Sequence, residues 1–223
     1  MPLNNLGYGG YSNYPKRDEL MRRQVYLPIT ADGQPDYEFM EQYIRVREPD
    51  YSWATGCFEP NAEISLQDRE WAEFRVGDLF SLKVAKSNDK GKLNTGNIPF
   101  IGRSNDNNGL QGFFDAPNVT NGQCITLGMV GTFRAFWQEE DFAASQNILT
   151  LRASWLNRHT ALFVCNIIET AIKGRYSYGN SIKAGTFGDT ILNLPIKYNG
   201  QPDYEFMEQY IKSLPFSKVL EQN

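Results

Sequence analysis

Histidine is almost missing from this chain: His159 is the only one in 223 residues. A lone histidine inside a helix-forming stretch reads as a helix-end or surface residue rather than a general base. The three cysteines, Cys57, Cys124 and Cys165, are odd in number and far apart. That argues against a disulfide frame or a zinc site and for buried thiols in a reducing, cytoplasmic setting. No apolar run approaches the roughly 18 residues that span a bilayer. The opening MPLNNLGYGGYSNYPKRDEL also lacks the basic end and apolar middle of a signal peptide. Nucleophile elbows, phosphate-binding glycine loops and cysteine–histidine sets are absent as well. So is the Asn/Asp-Pro-Pro-Tyr/Phe signature of DNA amino-methyltransferases. Pro35-Asp36 and Pro202-Asp203 are not followed by the Glu-x-Lys that a metal-dependent nuclease would require. The expectation is a protein that is not an enzyme, is not membrane-bound and holds no metal.

What is present is a foldable, aromatic-rich sequence. Phe, Tyr and Trp number 14, 12 and 4, which favours strands and a contact surface over a simple helical bundle. The net charge of -4 opposes nucleic-acid binding at first sight. The distribution softens this: residues 71–195 carry 12 Lys/Arg against 10 Asp/Glu, and the rest of the chain holds the acidic excess.

The most specific feature is a repeat. GQPDYEFMEQYI occurs at Gly33–Ile44 and again at Gly200–Ile211, 167 residues apart. The match reaches upstream to Leu27-Pro28-Ile29 and Leu194-Pro195-Ile196, and Tyr11 and Asn13 correspond to Tyr178 and Asn180. Physical constraint alone does not make Gln42 and Gln209 agree; duplication does, or service to one partner, with an insertion artefact as the alternative. The spacing suits whole domains rather than a solenoid. It divides the chain into residues 1–46 as the tail of a preceding unit, 47–70 as a linker, 71–196 as a main domain, and 197–223 as a second tail. Each copy predicts a helix with Pro202 at an early helical position, acidic residues near its N-terminus, and Met207, Ile211 and Leu214 along one face.

Between the copies, short strand-like pieces lie at Ile98–Gly102, Leu110–Phe114, Cys124–Val130, Thr132–Trp137 and Ile148–Leu151, separated by Gly/Asn turns. Ser87–Asn97 reads as a polar loop. Trp155–Lys173 is the one long helix, closed by Gly174, and Thr190–Ile196 is a last strand. The fold class is α+β: a compact, mostly antiparallel β domain with one long packed helix, flanked by short amphipathic helices.

Several of these pieces, in this order, resemble a known family. Trp71–Phe80 (WAEFRVGDLF), Ile98–Ser104 (IPFIGRS), Asn107-Asn108-Gly109, Gly122…Gly131 and Phe142…Ser145-Gln146-Asn147-Ile148-Leu149 are similar to the target recognition domain of specificity subunits from type I and related restriction–modification systems. The close, Leu194-Pro195-Ile196 and then Pro202–Ile211, fits the same pattern. The resemblance covers about residues 71–214, with 1–46 resembling the end of a preceding domain. Family members usually hold two such domains separated by long helices. One whole domain, one tail and no long heptad helix imply a half-subunit or truncated form.

The resemblance implies double-stranded DNA as ligand. It also implies a partner methyltransferase subunit that binds S-adenosylmethionine, a restriction subunit, and pairing of two copies for a split target. Base readout would fall to loop residues: Arg103, Ser104, Asn105, Asn107 and Asn108; Arg134 and Gln138; and Lys173, Arg175, Tyr176, Tyr178, Asn180 and Lys183. Arginine bridges guanine O6/N7, and asparagine or glutamine bridges adenine N6/N7. Asn107-Asn108-Gly109 reads equally as turn chemistry. The repeated helices would dock the partner through Phe39, Met40, Tyr43 and Ile44, and through Phe206, Met207, Tyr210 and Ile211. Two other readings stand beside this one: a protein-interaction adaptor without DNA readout, and a nuclease or hydrolase.

Overall fold

The computed structural model describes residues 26–47, 64–214 and 217. The chain divides into two compact units, Met1–Thr55 and Gly56–Asn223. Most of the expected linker 47–70, together with Tyr11 and Asn13, lies outside the described residues.

In the first unit, helix α1 (Tyr37–Arg47) follows a tight turn. Ile29 bridges Pro35, and Gly33 sits at φ +80°. That left-handed conformation is why the repeat needs glycine there. The Asp36 carboxylate accepts from the Phe39 amide at 2.9 Å and caps the helix.

The second unit opens on strand β1 (Trp71–Arg75) and a helical turn α2 (Val76–Leu79), followed by β2 (Ser81–Val84), β3 (Asn94–Ile101) and β4 (Leu110–Asp115). Then come β5 (Cys124–Gly128), β6 (Ala135–Gln138), β7 (Ala143–Ala144) and β8 (Ile148–Arg152). Helix α3 (Arg158–Ile172), the turn α4 (Ala184–Phe187), β9 (Ile191–Pro195) and helix α5 (Tyr204–Ser213) complete it. A four-stranded sheet runs β2-β8-β5-β6, all antiparallel, and a three-stranded sheet runs β4-β3-β7. β1 pairs antiparallel with β9, Trp71 opposite Pro195 and Arg75 opposite Ile191, so the first and last strands of this unit are zipped together. The expected mixed, mostly antiparallel α+β architecture is what forms.

The four-stranded sheet is covered on both faces, which is why β5 reads CITLG and is buried along its whole length rather than alternating. On one face Ile125, Leu127, Leu149 and Leu151 join α3 residues Val164 and Ile168 in the main core. On the other, Cys124 and Ile148 join Ala85, Ile101, Phe142 and Ala144 in a smaller cluster. Cys124 and, in the main core, Cys165 of α3 are buried free thiols. Burial pushes the Cys124 thiol up to about 11 against the pull of Arg152. Burial raises Cys165 further.

Helix α3 starts where expected for a local reason. The Asn157 side chain accepts from the His159 and Thr160 amides at 2.9 and 3.0 Å, and the Thr160 hydroxyl accepts from the Asn157 amide at 2.9 Å. Asn157 also donates to Glu208 on α5 at 2.8 Å. With Lys212 as the larger contributor, that bond holds the Glu208 carboxyl below its ordinary value. Asn157→Ala removes both roles. We expect a loss of about 1–2 kcal/mol in urea unfolding, whereas an unchanged midpoint would show the cap to be dispensable.

The second repeat copy reproduces the first locally. Ile196 bridges Pro202, Gly200 has φ +78°, and Asp203 caps α5 by accepting from the Phe206 amide at 3.1 Å. The proline therefore precedes the cap rather than opening the helix. The surroundings differ completely. Tyr204 stacks on Trp155 with centroids 4.1 Å apart, Tyr210 meets Phe163 edge-on at 5.7 Å, and Arg69 lies 4.3 Å over the Phe206 ring. Phe206 and Met207 are 4% and 0% exposed, against 48% for Phe39. Ile211 is buried too. The expectation that Phe206, Met207 and Ile211 face a partner is thus corrected: they are spent on their own domain, Met207 and Ile211 in the core with α3 and Phe206 beneath Arg69. In the first copy Phe39 and Tyr43 stay exposed and Met40 is partly buried, while the side chain of Ile44 lies outside the described part.

Among the described residues, no helix is long and apolar enough to cross a membrane, and no group of His, Cys, Asp and Glu could hold a metal ion.

Candidate nucleic-acid interface

The loops singled out from sequence come together around the loop 129–134 between β5 and β6, of which sequence had singled out Arg134 alone. It leaves β5 at Gly128, where a Cβ would lie 2.2 Å from the Thr132 carbonyl oxygen, so only glycine lets the chain fold back this tightly. From there it is bound on several sides. The Met129 amide donates to the Asn147 carbonyl at 3.0 Å, and the Ile182 amide donates to the Met129 carbonyl at 2.9 Å. Arg103 donates to the Val130 carbonyl at 3.3 Å. The Phe133 ring lies 5.9 Å from that of Tyr176.

The first loop, 102–109, holds its shape by turn chemistry. Asn107 and Asn108 both have positive φ, at 50° and 52°, a conformation asparagine tolerates better than most residues. The Asn108 amide donates to the Trp137 carbonyl at 2.8 Å, and Asn107 donates to the Leu110 carbonyl at 3.4 Å. Ser104 accepts from the Asp106 amide at 3.2 Å. Asn105 and Arg103 are exposed, with Asp106 beside them. Gln138 belongs to this latch and not to an open face: it is buried, donating to the Asn108 carbonyl at 3.0 Å and the Thr126 hydroxyl at 3.1 Å. Its residue type suits readout, but its donors are consumed.

Arg134 is also committed. Its guanidinium pairs with Glu169 of α3 at 2.8 Å, and the same carboxylate accepts from the Ala135 amide at 2.9 Å. This bidentate clamp fixes the loop against the helix and cancels the charge. Beside it is a shallow cleft of about 410 Å³ lined by Phe133, Arg134, Asn166, Lys173 and Tyr176 among others.

The last loop, 173–183, is exposed along most of its length. Ser177 and Asn180 exchange backbone hydrogen bonds at 3.1 Å, and the Asn180 side chain donates to the Arg175 carbonyl at 2.9 Å. The result is a tight hairpin with Tyr178 at its tip, 83% exposed. Lys173, Arg175 and Lys183 are exposed around it. Like Arg103, they have no carboxylate partner among the described residues. Four uncancelled cations and an exposed aromatic therefore share one rim, in a chain whose net charge is negative. Such a rim attracts phosphate and can follow a groove.

As parts of the site, sequence reasoning missed residues 129–133 of the hub and the turn Ser145–Asn147. The Ser145 amide donates to the Ile101 carbonyl at 2.8 Å and Asn147 has φ +61°, so this turn joins the same end of the sheet, with Gln146 exposed. The signal lay in Gly128 and Gly131 closing a short interval between two buried strands, and in Asn147 directly before Ile148.

The family described as the type I restriction modification DNA specificity domain matches residues 68–222. The specificity subunit of the type II restriction enzyme BgcI from Heyndrickxia coagulans is 29% identical over 215 residues, covering 90% of this chain and 60% of that protein. The chain thus spans about 60% of that relative's length. The crystal structure of the S subunit of a type I restriction–modification system from M. genitalium superimposes with a TM-score of 0.50 at 17% identity, over 83% of this chain and 50% of that one. That likeness concerns the fold. The match across residues 68–222 settles the family: this chain belongs to the type I restriction modification DNA specificity domain family.

Proposed function

We propose that the chain is the sequence-reading component of a restriction–modification assembly, and that it reads duplex DNA with the rim built on loop 129–134. The observation that carries this reading is the convergence of three separated loops on that hub, which leaves Arg103, Lys173, Arg175 and Lys183 uncancelled beside the exposed Tyr178. The cations set register on phosphates. Base-edge contacts we assign to the exposed Asn105, whose amide suits adenine. The chain itself supplies no catalytic group. It directs a methyltransferase subunit, which holds S-adenosylmethionine, together with a restriction subunit, and two copies side by side would read the two halves of a split target. Residues 1–46 close a preceding recognition unit and 47–70 link it to the next. The local identity of the two capped helices supports that division.

Selection of duplexes from a random-sequence pool by the purified chain tests the reading. We expect a short motif to be enriched, with retention that falls as salt rises. A pool that stays random while the chain still co-purifies with a methyltransferase would replace the reading with that of an adaptor.

A further inference from the structure

A second cationic site lies on the opposite edge of the four-stranded sheet, along β2, away from the β6 edge that the recognition loops flank. There a cleft of about 460 Å³ opens between the β2 edge, with Lys83 and Lys86, and the segment Val119–Asn121, with Arg152 at one end. No carboxylate lines it.

The walls are fixed at both ends. At one end the Asn88 side chain donates to the Asn118 carbonyl at 2.8 Å and accepts from the Asn118 amide at 3.1 Å. Asn118 in turn donates to the Ser87 carbonyl at 3.3 Å. At the other, the Arg152 guanidinium donates to the Asn121 and Gly122 carbonyls. Arg152 is therefore held by neutral acceptors that leave its charge uncancelled. Lys83 and Lys86 are exposed and make no ion pair among the described residues. The Thr150 hydroxyl, facing the cleft, donates to the Lys83 carbonyl at 2.8 Å and steadies the strand that carries the lysine. Three like charges converging on a preformed cleft repel one another unless an anion joins them.

We infer that Lys83, Lys86 and Arg152 form a phosphate-binding cleft separate from the recognition rim. The ligand chemistry is a phosphate group, either the phosphodiester backbone of a nucleic acid or the phosphate of a free nucleotide. The cleft is large enough for one nucleotide.

The test uses the full chain with Lys83→Gln and Lys86→Gln combined. Both side chains are exposed and unbonded, so the melting temperature should not move, and Arg152 is left in place because it holds the wall. Two probes separate the sources: a duplex of arbitrary sequence, read as binding against salt, and inorganic pyrophosphate, read by calorimetry. If the ligand is a nucleic-acid backbone, the double variant binds the duplex several-fold more weakly and its salt slope is shallower by about 1.8. If it is a free phosphate compound, pyrophosphate binding is lost and duplex binding is unchanged. Both results support the cleft. Duplex and pyrophosphate binding both equal to the parent chain overturn it. Selection of a motif by the rim is unaffected in each case, so the fate of this site and that of the reading function are scored apart.

Discussion

Replacing Arg103, Arg175 and Lys183 together with alanine weakens binding to a cognate duplex about a hundredfold at near-physiological salt, and it flattens the dependence on salt. Each of the three is exposed and none is held by a carboxylate among the described residues. Their charge is therefore available to phosphate and is not already spent. Each phosphate contact removed takes about 0.9 from the slope of log affinity against log salt, so the triple variant should lose about 2.7. Arg134 provides the control. Its guanidinium already pairs with Glu169, so Arg134→Ala should change DNA affinity by less than about threefold while costing about 1 kcal/mol of stability by leaving Glu169 half-satisfied. Fluorescence anisotropy with a labelled duplex at several salt concentrations reads both quantities. Equal affinities for the triple variant and the parent chain would remove the rim from the DNA contact altogether.

That contrast between Arg134 and its neighbours shows where sequence reading stops. Residue type and loop position selected Arg134, Gln138 and Arg175 alike. What separates them is long-range: Glu169 arrives from a helix 35 residues further on, and Gln138 is sealed by Asn108 and Thr126. Local features were more legible. The apolar face of α3 and the strand β5 are written in short windows, and each formed within a few residues of its expected place. β3 was partly missed, because Asn94–Asn97 is polar and is made strand only by pairing with Phe114 and Asp115. The β1–β9 pairing spans more than a hundred residues, and no periodicity signals it.

The repeat carries the same lesson in a form that mutation can measure. Met40 and Met207 occupy the same place in identical twelve-residue segments, with matching turns, caps and helices. Helix propensity, local hydrogen bonding and the sequence-local part of the unfolded state are therefore common to both. What differs is the cover: Met207 is fully buried in the core under α3, whereas Met40 is only partly buried. Met207→Ala should accordingly cost about 2–5 kcal/mol, the range for emptying a packed site of this size. Met40→Ala should cost under about 1 kcal/mol. Urea unfolding followed by tryptophan fluorescence suits the comparison, since Trp155 stacks on Tyr204 at the seat of the second copy. Equal losses at the two positions would mean that the helix stands on its local sequence and that the seat contributes nothing. A large loss at Met207 alone would show that one sequence has two energetic roles, decided by what lies against it. The second copy would then be a structural closure of its own unit, held by its seat under α3.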